Sequence, residues 1–270
     1  VRKAINLAFD FEWTNEKLFY NQYKRLNSYF ANCELTPTGL PSKEELALLE
    51  PFRNEIPKEV FGESFKSNIT KGDGNIRKEL SEASNILKKQ GWIFENGILV
   101  KNGQKFEFEI LLGSSSMEKV LNPFIKNLGK LGIVAKMRII DEVAYANKVK
   151  NFDYDMTIRN FRVSLSPGNE QKNYWGSEAS NILGSNNYIG IKSPAVDSMI
   201  NHIITAKNRD NLIVAVKALD RILMNNYYVV PNWYTPVTRV AYWNKFGQPK
   251  VLPKYGINIF SWWIEEELNK

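Results

Sequence analysis

Between Lys105 and Ile158 the apolar pattern switches repeatedly between two periods, and the order of those switches limits the chain to one class of fold. Phe106, Phe108, Ile110 and Leu112 alternate with Lys105, Glu107 and Glu109, as in a strand with one face buried. Val120, Leu121, Phe124 and Leu128 then recur at helical spacing. Ser115 and Glu118 fit a capping box ahead of that helix, and Gly132 fits its stop. Pro123 is expected to kink it or to lie early in it. Ile133, Ala135, Met137 and Ile139 alternate with Lys136 and Arg138 and predict a second strand. A short helix over Glu142–Lys150 and a third strand through Tyr154, Met156 and Ile158 follow. Strand, helix, strand, helix, strand is the order of an α/β sheet with helices packed on its faces.

The flanks extend this unit. Residues 1–23 read as helix, with Ile5, Leu7 and Ala8 in one turn and Trp13, Leu18 and Phe19 in later ones. Pro37, Pro41, Pro51 and Pro57 break up residues 24–60, apart from a short helix over Lys43–Leu49 that Ser42 caps with Glu45 three positions on. Gly62, Gly72 and Gly74 mark residues 61–75 as loop. Ile76, Leu80, Ala83 and Leu87 give a helix ended by Gly91. Asn96-Gly97 and Asn102-Gly103, each flanked by apolar runs, predict hairpins. Residues 161–192 are rich in glycine and turn residues, and a long irregular stretch of this kind is often functional. Ser193-Pro194 starts a helix with Val196, Met199, Ile200, Ile203 and Ile204 on its buried face. A second helix from Arg209 carries Leu212, Val216, Leu219 and Leu223. Beyond Tyr227 the chain is rich in aromatic residues and proline.

Composition removes several function classes. The net charge is +7, but the lysines are scattered among acidic residues, which argues against nucleic-acid binding. No apolar run approaches the roughly 18 residues of a membrane-spanning helix. Cys33 and His202 are the sole cysteine and histidine, too few for a structural metal site, and no cofactor is expected. No phosphate loop or nucleophile elbow is present. The carboxylate pair Asp153 and Asp155 leaves a hydrolase or transferase as the alternative reading, although pairs flanked by polar residues are usually surface charge. A structural interaction domain without a small ligand is a third reading.

Three segments together carry a resemblance. They are Val1 to Asp10, Asn186 to Asp197, and the helix Leu212 to Leu223 followed by Tyr227 to Pro231. In this order the chain resembles the family 5 extracellular solute-binding proteins of ABC transporters. Phe19 to Tyr23, Asn27 to Asn32, Gly39-Leu40-Pro41, Pro167-Gly168, Tyr242 to Gly247 and Trp262-Trp263 resemble its Yej-type peptide-binding subgroup. The resemblance implies the second lobe of a type II, oligopeptide-binding-like periplasmic protein: α/β, with a mixed sheet and flanking helices. It implies that residues 1–230 form the ligand-binding lobe and that residues 231–270 return to complete an N-terminal lobe missing here. It further implies a peptide or peptide-like ligand, permease subunits as partners, no catalysis, and a periplasmic location with a signal peptide upstream.

The site residues expected on this basis are Asn27, Ser28, Tyr29 and Asn32 from the loop after the second helix, Arg159, Phe161 and Arg162 beyond the third strand, and Trp175 and Tyr188 from the long loop. Arginine offers a planar fork for a carboxylate, and Phe161 a stacking face. Many peptide-binding relatives carry an acidic residue here that pairs with the peptide amine, whereas residues 160–167 contain no Asp or Glu. That departure points to an anionic or blocked ligand, or to amine recognition by the other lobe.

Overall fold

The computed structural model describes residues 1–251, 253 and 256–265. The chain opens with α1 (Arg2–Leu7), α2 (Phe11–Phe19), β1 (Lys24–Arg25), α3 (Lys43–Leu49) and α4 (Arg77–Lys89). A ribbon of β2 (Ile93–Glu95), β3 (Ile98–Lys101) and β4 (Gln104–Lys105) leads into β5 (Glu107–Leu112). Then come α5 (Glu118–Lys130), β6 (Val134–Ile139), α6 (Glu142–Lys150), β7 (Met156–Thr157) and α7 (Glu170–Trp175). The helices α8 (Pro194–Ile204) and α9 (Arg209–Asn225) precede the short strands β8 (Trp233–Tyr234), β9 (Phe246–Gly247) and β10 (Trp263–Ile264).

The expected strand and helix alternation forms a parallel sheet in the order β6, β5, β7. Glu107 pairs with Val134 and Ile110 with both Met137 and Met156. Parallel neighbours need long crossovers, and α5 and α6 supply them. The central strand has Ile110, Leu111 and Leu112 all buried, as expected when both faces of a parallel sheet are covered. Among the described residues the expected mixed sheet is not formed. Among the described residues antiparallel pairing lies in separate small sheets, and Phe106 links the ribbon to the parallel sheet by donating to the Leu99 carbonyl at 2.8 Å and accepting from the Val134 N–H at 2.9 Å. The third strand is also shorter than its alternating residues suggest, since Met156 and Thr157 alone pair with β5.

Both Asn-Gly turns have the geometry that two-residue hairpins require. Asn96 and Gly97 lie at φ 48° and 86°, and Asn102 and Gly103 at 53° and 76°. The ribbon lies across the end of α5, where the Leu99 N–H donates to the Gly132 carbonyl at 2.8 Å. A Cβ on Gly132 would come within 2.6 Å of the Phe94 ring, so this stop signal is also a packing requirement.

Two buried clusters result. A sheet core joins Leu7, Phe9 and Phe11 to Leu87, Ile110, Val120, Phe124 and Leu128. A helical core joins α8 and α9 to Phe30, Leu35, Leu49, Val60, Trp175 and Ile191. The helical core also encloses charge. Arg221 of α9 is 1% exposed and its Nε donates to Glu45 Oε2 at 2.6 Å. Its other nitrogens donate to the carbonyls of Gly62 at 3.1 Å and Gly39 at 3.0 Å.

Several local expectations change. Residues 1–23 are two helices, because the chain leaves helical geometry at Asp10, whose Oδ1 accepts from the Trp13 N–H at 3.1 Å. Ser42 caps α3 by accepting from the Glu45 N–H at 3.1 Å, but the Glu45 carboxylate turns to Arg221 and does not close the capping box. Ser115 begins a tight 3-10 turn in place of capping α5, and Pro123 sits inside that helix. The irregular stretch 161–192 holds α7 and a 3-10 turn over Glu178–Asn181. Residues 227–231, which follow α9, form no strand, and the next strand, β8, pairs antiparallel with β1.

The segment expected to return to another lobe, residues 231–270, is described except at 252, 254, 255 and 266–270, which lie outside the described residues. Within it β9 pairs with β10, and the Tyr242 and Trp262 rings meet edge to face at 4.7 Å. Trp243 and Phe260 are 79% and 94% exposed, and Val251, Ile259 and Ile264 also face solvent.

Candidate functional site

A concave cavity of about 1070 Å³ follows the seam between the two cores. The sheet core gives it Phe106, Phe108 and Ile110, which share one face of the chain because alternate residues point the same way. The helical side gives it Tyr29, Phe161, Tyr188 and Ile189. Residues 152–161 carry the wall past the carboxyl end of β7, where ligands of α/β sheets commonly bind. Its floor runs from α1 to the crossing segment 227–234. Arg2 Nε donates to the Asn226 carbonyl at 3.1 Å and Asn6 Nδ2 to the Val229 carbonyl at 3.1 Å, so these two stretches are tied side by side.

The loop that presents Tyr29 is held from below by α9. Asp220 Oδ1 accepts from the Tyr29 N–H at 2.7 Å, and Ser28 Oγ accepts from the Phe30 N–H at 2.9 Å. Burial pushes the Asp220 carboxyl up to about 7, against the pull of those hydrogen bonds and of Arg221. Tyr29 packs edge to face on Trp175 at 4.9 Å and on Phe161 at 5.6 Å. Burial raises its hydroxyl above the ordinary tyrosine range, and the Asp220 charge adds to that rise.

Arg159 and Tyr188 form the second fixed pair. Arg159 Nη2 donates to the Tyr188 hydroxyl at 2.7 Å, and the guanidinium carbon lies 4.3 Å from the centre of the same ring. The Tyr188 hydroxyl in turn donates to Asn186 Oδ1 at 2.7 Å. The Tyr154 hydroxyl donates to the Tyr188 carbonyl at 2.8 Å and anchors this loop to the strand end.

Of the residues expected at the site, Ser28, Tyr29, Asn32, Arg159, Phe161 and Tyr188 line the cavity together. Asn27, Arg162 and Trp175 do not. Asn27 accepts from the Ser67 N–H at 2.7 Å and so fastens its loop to a neighbouring one. Arg162 faces solvent outside the wall. Trp175 is 1% exposed and donates to Gln171 Oε1 at 3.0 Å, which makes it the backing of the wall and not its surface. Sequence reasoning missed Arg2, Tyr154 and Tyr228. Tyr154 alone had a local signal, as an aromatic at the end of an alternating run. Asp153 pairs with Lys148, and Asp155 accepts from the Glu109 N–H at 2.9 Å, so both carboxylates of the alternative reading have structural partners.

Residues 1–182 match the family model for bacterial extracellular solute-binding proteins, family 5, in its middle region. The chain belongs to this family. It is 40% identical over 266 residues to the probable peptide-binding protein YejA of Agrobacterium fabrum, covering 97% of this chain and 43% of that protein. It is also 40% identical over 268 residues to YejA of Escherichia coli, covering 98% of this chain and 44% of that one. The chain therefore spans less than half the length of these family members. Among solved structures, the oligopeptide-binding protein AppA of Bacillus subtilis, in complex with a nonapeptide, superposes with a TM-score of 0.65 at 20% identity. That match covers 97% of this chain and 47% of AppA. The mixed α/β fold is thus that of one lobe of the bilobed oligopeptide-binding proteins.

Proposed function

We propose that this chain supplies one wall of a two-lobed clamp, which captures peptides or peptide-like solutes in the periplasm and hands them to the permease of an ABC importer without covalent chemistry. Residues 1–230 form the ligand-binding lobe, and residues 231–270 return to the other lobe. The observation that carries this reading is the open cavity of about 1070 Å³, walled by Phe106 and Phe108 on the sheet side and by Tyr29, Phe161 and Tyr188 on the other, with Ser28, Asn32 and Arg159 as its placed polar groups. Binding sites of this kind are concave and mostly apolar, with a few placed polar groups for orientation. The peptide-binding name of a relative at 40% identity and the nonapeptide complex of AppA support the ligand class.

In this reading Tyr29, Phe161 and Tyr188 supply stacking surface, while Asn32, Ser28 and Arg159 supply orientation. Asn27 and Trp175 hold the wall in place, and Arg162 stands outside it. Exposed aromatic residues such as Trp243 and Phe260 fit a segment that packs elsewhere in the complete protein. Affinity depends on enclosure between lobes, because a single wall leaves most of the ligand in water. Titration calorimetry of the full-length protein with a panel of short peptides tests the proposal. Binding by the full-length protein, with at least tenfold weaker binding by this chain alone, is the expected result. Equal affinity in both sinks the clamp, and no heat from any peptide sinks the ligand class.

A further inference from the structure

The stretch of wall that bears Tyr29 rests on one buried acid. Asp220 of α9 is 1% exposed, and its Oδ1 accepts from the Tyr29 N–H at 2.7 Å. The Ser28 hydroxyl and the Phe30 N–H act on the same carboxylate and favour its charged form. Ser28 Oγ accepts from the Phe30 N–H at 2.9 Å, which leaves its own proton free to give to Asp220. Ser28 and Tyr29 line the cavity, and Asp220 does not. A side chain outside the cavity thus holds two that line it.

The other charged groups around α9 are spent elsewhere. Arg221 and Glu45 of α3 are paired with each other, and Lys43 and Glu44 are exposed. On α8, Asp197 accepts from the Ser177 N–H at 2.8 Å, and His202 is exposed. The 3-10 turn Lys58–Phe61 brings Lys58 and Glu59, both exposed. Arg2 stands 4.9 Å from the Tyr228 ring centre, and both of these groups act on the Tyr29 hydroxyl. The Asp220 charge is therefore answered chiefly by donors of the loop 28–30. A carboxylate accepts at both oxygens, whereas a carboxyl spends one of them on its own proton, so protonation weakens the hold on that loop. Burial keeps the Asp220 carboxyl at about 7, and neutral pH populates both forms.

We propose that Asp220 is a positioning residue of the binding wall: in its charged form it sets Ser28 and Tyr29 for the ligand, so that affinity rises with pH and binding releases a proton. This rests on the binding-protein reading above. Because the ligand selects the charged form, it lowers the pH at which Asp220 ionises, and affinity climbs until the free protein is itself ionised. Fold stability moves the other way over the same range, since burying the charge is costly. A merely structural role makes affinity follow stability; the positioning role makes the two diverge.

The test titrates trialanine into the full-length protein by calorimetry between about pH 5.5 and 8.5, in phosphate and in Tris. Affinity is expected to rise about 10-fold across that span, the lower end of the range for a hydrogen bond to a charged group, and to level off above about 7. The difference in heat between the buffers is expected to show proton release below that point. Asp220→Asn is expected to bind with one affinity throughout, near that of the wild type at the acid end. Cys33 gives a second readout without ligand, since it lies in the same loop and its Sγ donates to the Phe30 carbonyl at 3.2 Å. Its alkylation by N-ethylmaleimide, followed by mass mapping, is expected to run several-fold faster in Asp220→Asn than in the wild type at the alkaline end and at about equal rates at the acid end. An affinity that is flat or falls with pH, or the same slope in Asp220→Asn, overturns the proposal and leaves the binding function standing. Should the variant fail to fold, the wild-type profile and proton release decide alone. No heat at any pH overturns the binding reading and with it the link to affinity, and the Cys33 rates then decide whether Asp220 holds the loop.

Discussion

The sheet core and the helical core bury similar residues by different means. The sheet core is apolar at its centre, with Asp10 and Asn127 buried at its edge and Arg25 over the Phe9 and Phe11 rings, and its central parts follow one another closely along the chain: β5, α5 and β6 are consecutive. The helical core gathers α3, α8 and α9 with two irregular stretches far apart in sequence, and it holds them with buried charge. Glu45 and Arg221 meet across most of the chain, and Asp220 reaches the backbone of Tyr29. Apolar packing is tolerant of direction, whereas a buried ion pair is satisfied in one arrangement only. The core with the less regular walls is thus fixed at its centre by polar contacts, and that core positions Tyr29 and Phe161 at the cavity.

The contrast can be broken most directly at Arg221. Replacing Arg221 by Met leaves Glu45 charged and enclosed, and is expected to cost about 3–5 kcal/mol of unfolding free energy. Adding Glu45→Leu is expected to restore most of it. Urea denaturation of the single and double variants reads both; a single variant near wild-type stability removes the distinction between the cores. In the sheet core Leu128→Ala opens a cavity and is expected to cost about 2–5 kcal/mol, with no dependence on pH. A pH-dependent loss there means that the two cores are coupled.

Asp220 sharpens the comparison through pH. Its carboxyl is raised to about 7 in the folded chain, against roughly 3.9 when unfolded. Between these values the native state holds a proton that the unfolded state has lost. Stability therefore falls as pH rises through that window, by at most about 1.4 kcal/mol per unit, and levels off above about pH 7. Asp220→Asn is expected to flatten this slope in denaturation curves taken from pH 4 to 8. An unchanged slope places the titration elsewhere. The smallest effect is at the α3 cap, where Ser42→Ala is expected to cost about 1 kcal/mol, readable as a shift in the urea midpoint.

How much was legible in sequence follows the same division. Period-two alternation in β5 and β6, the apolar stripe of α5 and the two Asn-Gly turns located the sheet core, because each signal is local. Ser193-Pro194 located α8 equally well. The polar half of the helical core was not legible. Glu45 looked like a capping partner, and its real partner lies 176 positions away, where no spacing rule reaches. Trp175 illustrates the same limit at the site. An aromatic residue in a glycine-rich stretch reads the same whether it faces a ligand or backs a wall, and only the meeting with Tyr29 and Gln171 decides. Arg159 and Tyr188 were both legible as site candidates, but their pairing across a loop was not.

Trp175 and Trp243 differ in one further respect, since one indole is sealed from solvent and the other stands almost bare. An indole in water emits at longer wavelength than one that is enclosed. These two are the extremes among seven tryptophans, so a variant that keeps only this pair carries a two-colour optical reporter, with the blue component from the interior and the red from the terminal segment. Any surface that takes up the terminal segment will draw the red emission towards the blue and leave the interior signal as it was.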